Sequence, residues 1–582
     1  MSESKVKESR REARKGMSFF PNPWKRMGKR DRKRALKVMA APVEEIAPAT
    51  AKRPLNRGWS GRGEGEATYV QAPPLWRGTT VQVCGLWPFA IGTGTPMVGV
   101  PLGRHIHTDA TLCCDPISWF QRAKLISNPS VFVLGKPGLG KSTVIRRMAT
   151  GLAAFGVMPM VLGDLKPDYV DLIEKLGGQV IALGRGRGYL NVLDPGEAIE
   201  AVARLREAAG EVRSGARIVP RAERVDDVAP EAWAERWAAK LDRMADEVEG
   251  DSHSRRLDMV ASLITILRKQ PPSDVEESLI SAALRVLDAR FTDQQPVLPD
   301  LLAVVQEGPD ELRDVAVDRG DFSEYQRITA ALERSLISLV RGGRLGETFS
   351  RPTTQPMRRD RPVVYDVSGL GENEPDLRAA SLLACWSNGF ATVNIAHVLA
   401  DAGLEPRRHY FVIMDELWQA LRAGSGIVDR VDRITRLNRT IGIGIAMITH
   451  TMSDLLALPT VEDQMKARGF VERSGMVICG GLPQAEMPAL TQAIPFSRAE
   501  QELLIGWQDP PSWDPHRGAN TDPPGLGHFL VKVGGSPGIP VKVELTQTEL
   551  TGQVNDTNKR WRETSRVGRR GTLHAVDEEM SA

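Results

Sequence analysis

The stretch VFVLGKPGLGKSTVIRR, Val131 to Arg147, decides the fold. Four apolar residues run into a glycine-rich loop, then Lys-Ser-Thr, then a helix-like segment. Gly135 through Gly140-Lys141-Ser142 matches GxxxxGK[ST] at every fixed position, with a strand expected before it and a helix after it. Each part suits a bound nucleoside triphosphate. The glycines let backbone N–H groups point inward around phosphates without side-chain clash. Lys141 sets a positive charge against the β- and γ-phosphates, and the Ser142 hydroxyl is the expected Mg²⁺ ligand. Thr143 falls where the helix N-terminus faces the α-phosphate. The candidate nucleotide-binding residues are therefore Gly135, Lys136, Pro137, Gly138, Leu139, Gly140, Lys141, Ser142 and Thr143, with ATP and Mg²⁺ as the expected cofactors.

Splitting a triphosphate also needs a carboxylate for the metal and a group that orients water. YFVIMDELWQ, residues 410–419, reads as a buried strand with Asp415 and Glu416 at its end. Asp415 is the candidate second metal residue, and Glu416 the candidate that polarises the attacking water. Adjacent acids at a strand end also serve as helix caps; the phosphate loop upstream favours the metal-and-water reading. A further strand, IGIGIAMIT (441–449), ends at Thr449-His450, where a side chain can sense the γ-phosphate. His450 could equally be a helix cap or a surface histidine.

The rest of the chain frames these motifs. It has 582 residues, 41% hydrophobic and 26% charged, with a net charge of +3, so no bulk field argues for nucleic acid. Positive charge is concentrated early, at Lys25-Arg26, Lys29-Arg30 and Arg32-Lys33-Arg34. Residues 1–67 read as a basic arm with little fixed structure, and 68–126 as a small β-rich subdomain. Residues 127–195 form the first part of an α/β core, with buried parallel strands expected at 157–164 and 178–184. Residues 196–345 read as an all-helical insertion, including a capping box at Ser273–Glu276 with Leu279, Ala283 and Val286 on one face. Residues 346–546 complete the core and close with a β-hairpin around Gly534-Gly535; 547–582 read as a polar tail without fixed structure.

Five scattered cysteines make no CxxC pair, so Cys113-Cys114 reads as ordinary buried thiols in a reducing compartment. No apolar run approaches the roughly twenty residues that span a bilayer. The best stretch, Val81 to Leu102, is broken by Gly and Pro, and the N-terminus is too polar for a signal peptide. A cytoplasmic location is expected, with any placement at the inner face of the cell membrane made through partners or the basic arm.

The ordered motifs resemble the ATPases of type IV secretion and conjugation systems, of the VirB-type family, from about residue 100 to 546. TLCCDP (111–116) stands where that family has a strand and an Asp before the phosphate loop. GDLKPDYVDLIEKLGGQVIAL (163–183) resembles its Asp-x-x-x-(Glu/Asp)-Tyr segment, and LNVLDP (190–195) its Leu-Asn-Pro-x-Asp signature, with Val192 in place of Pro. The segment 430–455 resembles its sensor helix and strand, with His450 where Gln is usual, and 472–504 the strand and helix that follow. The resemblance implies a RecA-like P-loop core, ATP hydrolysis, a homo-hexameric ring and docking to membrane-embedded secretion or conjugation components. DNA is a further candidate partner. In the helix expected at 427–441, Ile427, Val431, Ile434, Leu437 and Ile441 form a stripe beside a row of Arg430, Arg433, Arg436 and Arg439. Arg436 and Arg439 match the family's basic pair that would reach a neighbour's γ-phosphate; a solvated basic face beside Asp429 and Asp432 is the plainer alternative. Three functions remain: a secretion motor, a DNA pump or coupling protein, and a nucleotide-gated scaffold without turnover.

Overall fold

The computed structural model describes residues 94–555, apart from 185, 221–222, 224–229, 292–293, 342, 372, 425–426, 437–441, 515–518 and 553–554. The expected arm at 1–67, the stretch 68–93 and residues 556–582 lie outside the described residues.

The strands are β1 (Pro101–His105), β2 (Thr111–Cys113), β3 (Ser130–Leu134), β4 (Val157–Asp164), β5 (Gln179–Ala182), β6 (Val363–Asp366), β7 (His409–Met414), β8 (Gly444–Ile448), β9 (Met476–Cys479), β10 (Trp513–Asp514), β11 (Ala519–Asn520), β12 (His528–Lys532) and β13 (Ile539–Val543). All but the small β10–β11 ladder join one sheet, ordered β2-β1-β13-β12-β9-β3-β8-β7-β4-β6-β5. From β9 to β5 every pairing is parallel. From β12 to β2 every pairing is antiparallel. The parallel strands β3, β6 and β8 are buried along their whole length, as strands covered on both faces must be. Alternation sends Phe132 and Leu134 into one core layer and Val131 and Val133 into the other.

The chain is thus α/β, with a mostly parallel sheet and an inserted helical block, as the motifs predict. That block includes Ala198–Arg213, Pro230–Arg268, Asp274–Arg290, Leu298–Glu307, Asp310–Ala316 and Phe322–Arg341, between β5 and β6. The capping box at Ser273 forms, with Glu276 bonded back to it, and Leu279, Ala283 and Val286 are buried. Its apolar residues are continuous with the Phe132 layer, so the insertion shares the core of the sheet.

Three features differ from the sequence reading. β1 pairs with β13 and β2 with β1, so these strands of the expected β-rich subdomain extend the main sheet. The polar segment after Gln547 opens with a short helix, Gln547–Thr551, because Thr546 and Glu549 form a capping box. One described helix, Pro375–Asp401, is long and apolar enough to cross a membrane, where no such run was expected. Small residues dilute its apolar signal in the sequence. In the fold, 72% of its most apolar window is buried, with Trp386 and Leu382 in the core.

Candidate functional site

β3 enters the glycine loop, and the helix Lys141–Ala154 leaves it. Gly138 (φ +86°) and Gly140 (φ +99°) take left-handed conformations that side chains resist, which is why glycine stands there. Nothing lies within 4 Å of where a Cβ on Gly138 would stand, so the loop is open at that point. Three backbone bonds pin the loop. The Gly135 N–H donates to the His450 carbonyl (3.0 Å), the Lys136 N–H to that of Gly481 (2.9 Å), and the Gly527 N–H to that of Leu139 (3.1 Å).

Inside, the Lys141 ammonium donates to the Gly135 carbonyl at 2.6 Å. Burial lowers its pKa to about 8, while the charges of Asp415 and Glu416 pull it back up. Lys141 and both acids therefore share one electrostatic neighbourhood, although they come from β3 and β7, with β8 between. Ser142 Oγ donates to Asp168 at 3.3 Å, and Arg146 fixes the same turn by donating to the Ser142 and Asp168 carbonyls. That turn leaves β4 at Asp164, whose carboxylate accepts the N–H groups of Lys166, Asp168 and Tyr169. Burial raises the Asp164 pKa to about 6.

Asp415 follows β7. It accepts the Tyr169 hydroxyl on Oδ2 (3.2 Å) and the Glu416 N–H on Oδ1 (2.8 Å). Burial, and then the charge of Glu416, holds its carboxyl above the usual range. Glu416 itself has φ +52°, a left-handed conformation uncommon outside glycine, and caps the helix Leu417–Leu421. The residue is buried, at 7% exposure. Its Oε1 accepts Lys166 Nζ (3.0 Å). Its Oε2 accepts the Trp418 indole N–H (2.7 Å) and lies 3.3 Å from His450 Nε2. Burial opposes its ionisation, but His450 and Lys166 outweigh burial and hold it below its ordinary value.

His450 follows β8, the strand between β3 and β7. Burial lowers its pKa, while the charge of Glu416 opposes that shift. The ring Nδ1 is buried and has no hydrogen-bond partner among the described residues. The Thr449 hydroxyl beside it is likewise buried and unpartnered. Unused polar atoms at the end of a central strand, an open glycine cradle and a desolvated lysine fit a phosphate ligand with its Mg²⁺.

Lys141, Ser142, Asp415, Glu416 and His450 are thus brought together. Arg436 ends the helix Ile427–Arg436, and Arg439 lies outside the described residues. Sequence reasoning gave no role to Lys166, Asp168, Tyr169 or Trp418. The signal available was DLKPDY, an acid-rich turn directly after a parallel strand. The four described cysteines are buried free thiols, as read, and no cluster of metal-ligating side chains forms among the described residues.

No protein-family model matches the sequence, and no curated protein matches it. Among solved structures, VirB4 of Thermoanaerobacter pseudethanolicus aligns over 79% of this chain and 100% of its own, at 17% identity and a TM-score of 0.52. This chain has the VirB4 fold. The plasmid coupling protein TrwB in complex with ADP and Mg²⁺ aligns over 72% of this chain and 85% of its own, at 13% identity and a TM-score of 0.38. The VirB4 fold accounts for the α/β sheet with its helical insertion; the chemistry is read from the residues above.

Proposed function

We propose that this chain is an Mg²⁺-dependent ATPase that powers a conjugation-type secretion apparatus. The observation that carries the proposal is that His450 joins the two halves of the site: its carbonyl accepts the Gly135 N–H of the loop whose Lys141 bonds the Gly135 carbonyl, and its ring lies 3.3 Å from Glu416, beside Asp415. Ser142 and Asp415 would hold Mg²⁺, which when bound neutralises charge on the phosphate oxygens. The loop N–H groups bind the phosphates, and Lys141 exchanges its Gly135 carbonyl for them. Tyr169 holds the Asp415 carboxylate in place through Oδ2. Glu416 orients the attacking water and accepts its proton, while Trp418 and His450 hold the other carboxylate oxygen.

The motor works as a homo-hexameric ring, with Arg436 and Arg439 reaching the γ-phosphate of a neighbouring subunit. Its place is the inner face of the cell membrane, held by membrane-embedded components. The buried packing of the one sufficiently apolar described helix supports docking through partners over insertion.

ATP turnover measured against protein concentration, with and without DNA, tests this reading. Specific activity should rise as rings assemble. Lys141→Ala should lose nucleotide binding, and Glu416→Gln should keep binding while losing about 10²- to 10⁴-fold in kcat. Turnover by Glu416→Gln at the wild-type rate removes Glu416 from its role. Stimulation by DNA that falls steeply with salt would make the transported cargo DNA.

A further inference from the structure

The pocket holds a second lysine that the phosphate-loop pattern does not account for. Lys166 lies on the turn after β4, and its charge bears on Lys141, Glu416, Asp415 and Asp168. Its backbone is fixed at both sides: the N–H is held by Asp164, and Pro167 follows. Its side chain is 62% exposed and makes one ion pair, to Glu416. A fixed backbone with a free, long side chain can swing its ammonium without disturbing the fold.

The geometry of Glu416 shows what that swing would change. The Trp418 indole donates to Oε2 and His450 Nε2 lies 3.3 Å from it, while Lys166 alone among the described residues bonds Oε1. As it stands, the oxygen that could accept a proton from water is covered by an ammonium. When Lys166 leaves, Glu416 keeps its two Oε2 partners and stays aimed, while Oε1 becomes free.

A terminal phosphate is the partner that would draw Lys166 away. It carries more charge than a carboxylate and offers three oxygens. Its negative charge would also offset the repulsion between the Lys141 and Lys166 ammonium groups. We propose that Lys166 moves between Glu416 and the terminal phosphate of a bound nucleoside triphosphate, so that it both recognises the triphosphate and uncovers the water-orienting oxygen. This rests on the ATPase reading above and adds to it a residue that tells tri- from diphosphate. A diphosphate leaves Lys166 on Glu416 and the acid covered.

Full-length protein titrated with ADP and with the non-hydrolysable analogue AMP-PNP, each with Mg²⁺, tests the proposal. Wild type should prefer the triphosphate. Lys166→Met should lose about tenfold in affinity for AMP-PNP and little for ADP, and Lys166→Arg should restore the preference. Lys166→Gln, which stays polar but loses the charge and is one atom shorter, serves as a second variant and should behave as Lys166→Met does. A preference unchanged in Lys166→Met and Lys166→Gln, or both nucleotides weakened equally, overturns the proposal and leaves the ATPase reading standing. Wild type that binds neither nucleotide overturns both.

Discussion

The Glu549 carboxylate lies 3.3 Å from the Arg147 guanidinium, joining the last described helix to the helix that carries the phosphate loop. Both side chains are almost fully buried, and Arg147 also donates to the Pro101 carbonyl on β1. Removing one partner strands a charge in a low-dielectric site. Glu549→Ala should therefore destabilise the fold by about 3 kcal/mol, and a fall in Tm should report it. An unchanged Tm would mean that the pair contributes nothing.

Tyr169 offers a test within the pocket. Its ring is fully buried beneath the Arg146 guanidinium (5.9 Å), and only its hydroxyl reaches Asp415. Tyr169→Phe keeps the ring packing and removes one hydrogen bond, worth about 1 kcal/mol. Turnover should fall about fivefold at saturating Mg²⁺, with Tm little changed. A loss of Tm in proportion to the loss of rate would make the role structural.

His397 makes stability depend on pH. It is buried against the Tyr410 ring at 5.7 Å, and burial, with Arg407 and His409 adding to it, lowers its pKa to about 4 while Asp401 opposes. The ordinary value in the unfolded chain is about 6.5. Between these values the unfolded chain binds more protons than the folded one, so stability falls as pH drops from about 6.5 toward 4. His397→Phe should flatten that slope in Tm against pH. A slope as steep as that of wild type would place its origin in another group.

Gly389 tests the packing of the long apolar helix on the sheet. A Cβ there would meet Leu162 of β4 at 2.4 Å. Gly389→Ala should cost about 1–3 kcal/mol through overpacking, despite the better helix propensity of alanine, and a denaturant midpoint measures it. A gain in stability would show that Leu162 can yield.

Much of this was legible in the sequence where the signal is local. The phosphate loop is a run of consecutive residues whose spacing is itself the geometry, and Ser273–Glu276 is a local pattern of the same kind. The Asp415-Glu416 pair could be read because a short apolar run ends in two acids. Lys166, Tyr169 and Trp418 were not legible as parts of one site, since their meeting depends on strand order and on the left-handed turn at Glu416. That β1 and β2 join the main sheet was not legible, because β13, the partner of β1, lies more than four hundred residues downstream. The helix Pro375–Asp401 was missed because alanine, serine and glycine dilute its apolar signal.

The strand between the lysine loop and the acid pair has a consequence for timing. His450 meets the loop with its carbonyl, at the Gly135 N–H, and meets Glu416 with its ring. One residue thus has its main chain on the glycine loop and its side chain beside the acid. A slide of β8 by even a fraction of an ångström would be felt at both ends at once. In the proposed ATPase, phosphate grip and water activation would therefore be geared together, and a force that a neighbouring subunit applied to that strand would reach both through a single amino acid.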